Sequence, residues 1–75
     1  DLDEISFLRK LGQRIRNIRE ERKLTQQQLA DRSGLHRTFI GSVERGERNL
    51  SVLNLRIFAK SLRVPISELT QVGHN

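Results

Sequence analysis

The chain of 75 residues has no cysteine, methionine, tryptophan or tyrosine. Without cysteine there is no disulfide scaffold, no thiolate metal site and no thiol nucleophile. Its two histidines, His36 and His74, stand too far apart in sequence to form a metal-ligand motif. No apolar run approaches the roughly 20 residues that a membrane-spanning helix needs, and none reads as a signal-peptide core. A single proline and five glycines argue against a linker or a disordered chain. The expectation is a soluble, cytoplasmic domain with no cofactor, no metal, no membrane role and no small-molecule ligand. A domain of this size buries only about 60% of its unfolded surface, so a second copy of the chain is expected to add stability.

What the chain has in excess is positive charge. Fourteen Lys and Arg against nine Asp and Glu give a net charge of +5. Three of the acids, Asp1, Asp3 and Glu4, fall in the first four residues, which read as an acidic tail. From Ile5 onward fourteen basic residues meet six acidic ones, or +8 over 71 residues. A polyanionic partner follows, nucleic acid ahead of an anionic membrane surface.

Apolar residues recur at helical spacing throughout, with no strand-like alternation. Leu8, Leu11, Ile15 and Ile18 form one stripe, extended by Phe7, and predict a first helix from about Ser6 to Lys23. Gly12 lies inside it and reads as tolerated, at a cost of about 1 kcal/mol relative to alanine. Thr25 opens a second helix through a T-x-x-Q capping box with Gln28, with Leu29, Ala30 and Ser33 inward and Gly34 at its end. A third helix runs from about Arg37 to Arg45, with Ile40 and Val43 inward, and stops at Gly46. Ser51 caps a fourth to about Arg63, with Val52, Leu55, Phe58, Ala59 and Leu62 inward. Pro65 starts a fifth, Ile66 to about Val72, closed by Gly73. The predicted fold is all-α, one compact five-helix domain spanning the chain.

Residues 25–46 carry the functional signal. Two short helices meet at a tight turn cornered by Gly34, and the second presents Arg37, Thr38, Gly41, Ser42 and Arg45 on one polar face. This is a helix-turn-helix pattern, in which the second helix enters the DNA major groove and the first crosses the backbone. Arginine can bond guanine O6 and N7 together, and threonine can bond a base or touch a thymine methyl. Arg37, Thr38 and Ser42 are therefore the candidate base contacts. Gln26 stands at the start of the second helix, whose free amides favour an anion, and is the candidate phosphate contact with His36, Arg45, Arg48, Arg16 and Arg14.

The set Thr25, Gln26, Leu29, Ala30, Gly34, Ile40, Glu44 and Gly46, followed by Leu55, Ala59, Leu62, Val64 and Leu69, resembles the lambda-repressor-like helix-turn-helix regulators. Within that family, Arg37–Ile40 and Glu44–Asn49 are similar to controller proteins of restriction–modification systems, which are small dimeric regulators. The resemblance implies a sequence-specific regulator binding a palindromic operator in double-stranded DNA as a homodimer. It also implies that Arg19 and Glu44 form a structural ion pair between the first helix and the end of the recognition helix. Three positions depart from the family pattern: Leu50 for a common proline, His36 for the usual Ser or Thr cap, and Pro65 for a Ser or Asp cap.

After the core is filled, Leu50, Leu53, Ile57, Ile66 and Val72 remain, and they mark residues 50–72 as the dimerisation region. Glu47 or the acidic tail offers a surface to RNA polymerase. The alternatives are an antitoxin-like protein-interaction module and a phage-type repressor. An enzyme is not expected, because the carboxylates are scattered among basic residues and no nucleophile–base pair is present.

Overall fold

The computed structural model describes residues 2–72; Asp1, Gly73, His74 and Asn75 lie outside the described residues, and with them the expected closing glycine. Five helices follow in order: α1 (Leu2–Glu21), α2 (Gln26–Ser33), α3 (Arg37–Glu44), α4 (Val52–Leu62) and α5 (Ile66–Leu69). No strand occurs among the described residues, and no helix is long and apolar enough to cross a membrane.

The helix starts follow from local side chains. Thr25 Oγ1 accepts from the Gln28 amide at 3.0 Å while Gln28 Oε1 accepts from the Thr25 amide at 2.8 Å, which completes the capping box of α2. Ser51 and Asn54 make the same reciprocal pair at α4. At α1 the start lies four residues earlier than the apolar spacing predicts. Asp3 and Glu4 occupy its first turn, where carboxylates favour the positive end of the helix dipole; they belong to a helix and not to a tail. Lys23, at φ 59°, ends the run, and the helix itself stops at Glu21. The fifth helix is a single turn ending at Leu69, three residues short of the expected Val72.

The core gathers Leu11, Ile15 and Ile18 of α1, Leu29 and Ala30 of α2, and Ile40 and Val43 of α3. Phe58, Ala59 and Leu62 of α4 and Leu69 of α5 complete it. Two residues expected to face inward are not there. Phe7 is 45% exposed on the wall of a groove that it shares with Leu50 and Leu55, and Val52 is 76% exposed at the start of α4.

Gly12 is not merely tolerated. A Cβ at this position would overlap the Val43 carbonyl oxygen and lie 2.7 Å from that of Glu44. The backbones of α1 and of the last turn of α3 therefore touch directly. At Gly46, which has a positive φ of 76°, a Cβ would lie 2.7 Å from Arg9 Cα, so the chain leaves α3 against the same helix. Gly12→Ala is expected to lower the melting temperature although alanine is the better helix former. The propensity gain is about 1 kcal/mol, while overpacking costs about 1–3 kcal/mol; here the obstacle is backbone that cannot rotate away, so the upper end applies. Thermal circular dichroism checks this, and a higher melting temperature would refute the close approach.

Candidate nucleic-acid interface

The two helices of the motif are held together by one buried carboxylate. Arg19 donates from Nε to Glu44 Oε2 at 2.6 Å and from Nη2 to Glu44 Oε1 at 3.0 Å. The side chains are only 9% and 3% exposed. The third nitrogen, Nη1, donates to the Leu24 carbonyl at 2.7 Å, just before α2 begins. Glu44 Oε1 also accepts from Gln26 Nε2 at 3.0 Å. One guanidinium and one carboxylate thus join α1, the entry to α2, and the end of α3. The hydrogen bonds with Glu44 hold the Arg19 guanidinium above its ordinary pKa, against the opposing effect of burial.

The recognition helix α3 starts at a histidine. His36 has extended backbone at the cap position, and its Nδ1 accepts from the Thr38 amide at 3.1 Å. The imidazole thereby does what the oxygen of Ser or Thr does in a usual cap; the sequence places His36 at the cap position, but as a departure from the usual residue types and not as a cap in its own right. The available signal is its position, two residues before Thr38.

Arg37 and Thr38 are exposed in the first turn of α3. Ser42 is half-buried, and its hydroxyl donates back to the Thr38 and Phe39 carbonyls at 3.1 and 3.0 Å. Arg45, exposed, pairs through Nε with Glu47 at 3.1 Å. The Arg48 guanidinium sits over the Phe39 ring, 5.3 Å from its centre. Arg16 pairs with Glu20 at 3.2 Å; it lies four residues from Gly12, hence about 40° around α1 from the α3 contact.

Arg14 is a correction. It lies two residues past Gly12, about 200° around the helix from the α3 contact. There it donates to the Glu68 carboxylate at 2.7 Å and to the Glu68 carbonyl at 2.9 Å. It ties α1 to α5 and does not join the recognition face.

The candidate dimer residues divide in the same way. Leu53 is 69% exposed and Ile66 39%, while Leu50 and Ile57 are half-buried. Val72 is a second correction: at 8% exposure it is folded into the monomer beside α1, because the chain after α5 turns back onto that helix. Val52, expected in the core, is exposed beside Leu53 and belongs to the apolar surface instead. Leu50 also lines a groove of about 580 Å³ with Phe7, Leu8, Leu11 and Leu55.

The fold and this arrangement define a helix-turn-helix DNA-binding regulator. The profile of the helix-turn-helix family matches residues 15–69, and the chain belongs to that family. Among its relatives, control protein C.SmaI of Serratia marcescens is 49% identical over 59 residues, covering 79% of this chain and 70% of that one. The restriction–modification controller C.AhdI of Aeromonas hydrophila superposes with a TM-score of 0.81 at 45% identity, over 83% of this chain and 94% of the other. The controller C.Esp1396I, solved as a tetramer on its natural operator of 35 base pairs, gives a TM-score of 0.75 at 36% identity. That match covers 87% of this chain and 96% of the other.

Glu44→Ala is expected to unfold the motif and not only to weaken binding. It would leave Arg19 buried without its carboxylate and Gln26 without its acceptor, and losing one partner of a buried pair costs about 3–5 kcal/mol. In a domain this small, each kcal/mol moves the melting temperature by about 4–8 °C. A thermal melt unchanged in Glu44→Ala would reject this role.

Proposed function

We propose that the chain is a controller of a restriction–modification system, acting as a homodimer on a palindromic operator. The observation that carries this reading is the exposed pair Arg37 and Thr38 on a helix whose far end is locked by the buried Arg19–Glu44 pair. Likeness to several controller proteins supports the regulatory system. Arg37, Thr38 and Ser42 are assigned to base edges, with Ser42 releasing its bonds to its own helix to do so. Gln26, His36, Arg45, Arg48 and Arg16 are assigned to the backbone. The exposed Leu53 and Ile66, flanked by Leu50 and Ile57, are assigned to the two-fold interface, which would set recognition helices about 34–36 Å apart.

Selection of bound sequences from random duplex DNA is expected to return a palindrome. Arg37→Ala should then lose about 1–3 kcal/mol per half-site on that palindrome and accept changes at one base pair. Arg45→Ala should weaken all sequences alike and flatten the salt dependence by about 0.9 for each phosphate no longer neutralised. Equal weakening of every sequence by Arg37→Ala would remove Arg37 from the base contacts.

The dimer has its own test. Leu53→Glu places a charge on the proposed interface without touching the core, so it should leave the melt of the monomer near wild type. Sedimentation equilibrium should show a dimer for the wild type at micromolar concentration and a monomer for the variant. A wild-type chain that stays monomeric both free and on DNA would overturn the homodimer.

A further inference from the structure

We propose that His36 is a positioning residue whose neutral imidazole closes the start of α3 and holds Arg37 and Thr38 for base reading, so that protonating it lowers sequence discrimination. This rests on the DNA-binding reading above and goes beyond it, making that reading depend on a proton.

His36 has extended backbone, with φ −74° and ψ 140°, and its carbonyl accepts from the Ile40 amide at 3.1 Å. Its Nδ1 accepts from the Thr38 amide at 3.1 Å, one of the donors that a helix start leaves without a carbonyl partner. The starts of α2 and α4 are secured twice: Thr25 with Gln28, and Ser51 with Asn54, exchange bonds in both directions. At α3 the equivalent third position is Phe39, which has no polar group to return a bond. The recognition helix is therefore closed by a single imidazole, directly before Arg37 and Thr38.

A ring nitrogen accepts a hydrogen bond only while it carries no proton, so this cap requires the neutral ring with its hydrogen on Nε2. That Nε2–H can still donate to a phosphate, which keeps the backbone assignment compatible with the cap. Histidine is the side chain that ordinarily changes charge between pH 5 and 8. Once protonated, Nδ1 becomes a donor facing the donor of Thr38, and a positive charge stands at the positive end of the helix dipole. The charged groups that line a hollow with His36 are Asp31 of α2 and Arg37 of α3; Gln27, Ala30, Gly34 and Leu35 also line it and carry no charge. Asp31, which accepts from Gln27 at 2.9 Å, favours a charged ring, and Arg37 opposes one. The cap is thus present at high pH and lost as the pH falls. General attraction to DNA moves the other way, because an imidazolium adds a cation facing a polyanion. The hydroxyl caps of Thr25 and Ser51 have no such dependence.

The test compares the full chain on the duplex obtained by selection and on a scrambled duplex of equal length, at constant ionic strength. Between about pH 8 and about pH 5.5, the ratio of the two affinities should fall about fivefold per half-site, the worth of one helix cap. Affinity for the scrambled duplex should hold or rise, which also shows that the domain is still folded. His36→Ser restores an oxygen cap and should match wild-type discrimination at the higher pH and keep it at the lower. His36→Ala should discriminate at both as poorly as the acidified wild type. His74→Gln leaves His36 as the one histidine and should keep the wild-type dependence; in it, side-chain nitrogen shifts should report the Nε2–H tautomer at high pH. A wild-type ratio that follows pH no more than that of His36→Ser would overturn the proposal, as would wild-type discrimination by His36→Ala. Discrimination that rises on acidification would overturn it too, assigning His36 to a charged phosphate contact alone. All three leave the DNA-binding reading intact, whereas a wild-type chain that binds no duplex at either pH would overturn both.

Discussion

The Glu44 carboxylate is the point on which the arrangement of the helix-turn-helix turns. It accepts from two nitrogens of Arg19 and one of Gln26, while Arg19 also holds the Leu24 carbonyl. Apolar contacts between α2 and α3 would resist separation but only weakly resist sliding, because they are non-directional. A bidentate guanidinium–carboxylate pair has a defined plane and direction. Its desolvation is costly, and an apolar replacement of similar volume can be as stable. Such a replacement would hold the helices together and still leave the Gln26 amide unoriented. The pair is best understood as fixing how α1, α2 and α3 sit relative to one another.

The surplus of positive charge is less uniform than composition suggests. Arg14 is tied to Glu68, and Arg19 to Glu44. Arg22 donates to the Leu62 carbonyl at 2.9 Å and Arg32 to the Ser61 carbonyl at 3.3 Å, both at the end of α4. Those two cations satisfy helix-terminal carbonyls and oppose the negative end of the helix dipole. Four of the fourteen basic residues therefore serve the fold. Net charge alone points to a polyanion, but not every cation that contributes to it is free of the fold.

The helices and most of the core are legible in the sequence because periodicity reports which face of a helix is buried. Leu11, Ile15 and Ile18 are such a case, and the capping box at Thr25 and the cap at Ser51 rest on purely local chemistry. What is not legible depends on neighbours distant in sequence. Nothing around Gly12 in the chain announces that the carbonyls of Val43 and Glu44 lie against it. Arg14 and Arg16 look alike in sequence, and only the approach of Gly12 to α3 separates their faces. The N-terminal acids escape the apolar pattern because polar residues extend a helix without adding to its stripe. Val72 escapes it too, because the burial of a residue after the last helix depends on where the chain folds back, and no spacing encodes that. His36 shows the opposite limit: its cap is local, but imidazole stands outside the residue types usually preferred there.

The fate of the three phenylalanines bears on the kind of nucleic acid the domain can take. Proteins that grip single strands stack successive bases on exposed aromatic faces. Phe58 is fully buried in the core. Phe39 lies on α3, beside the recognition face, but its ring is covered by Arg48. That contact holds a long cationic side chain over an aromatic face and restricts its rotamers. Phe7 is exposed, but it lies at the far start of α1 and lines the groove beside Leu50 and Leu55. One isolated ring cannot stack successive bases. What α3 offers instead is Arg37 and Thr38 exposed in its first turn, with its aromatic residue covered by Arg48 from the loop that follows. That equipment suits the edges and backbone of a paired duplex, where the bases already stack on one another.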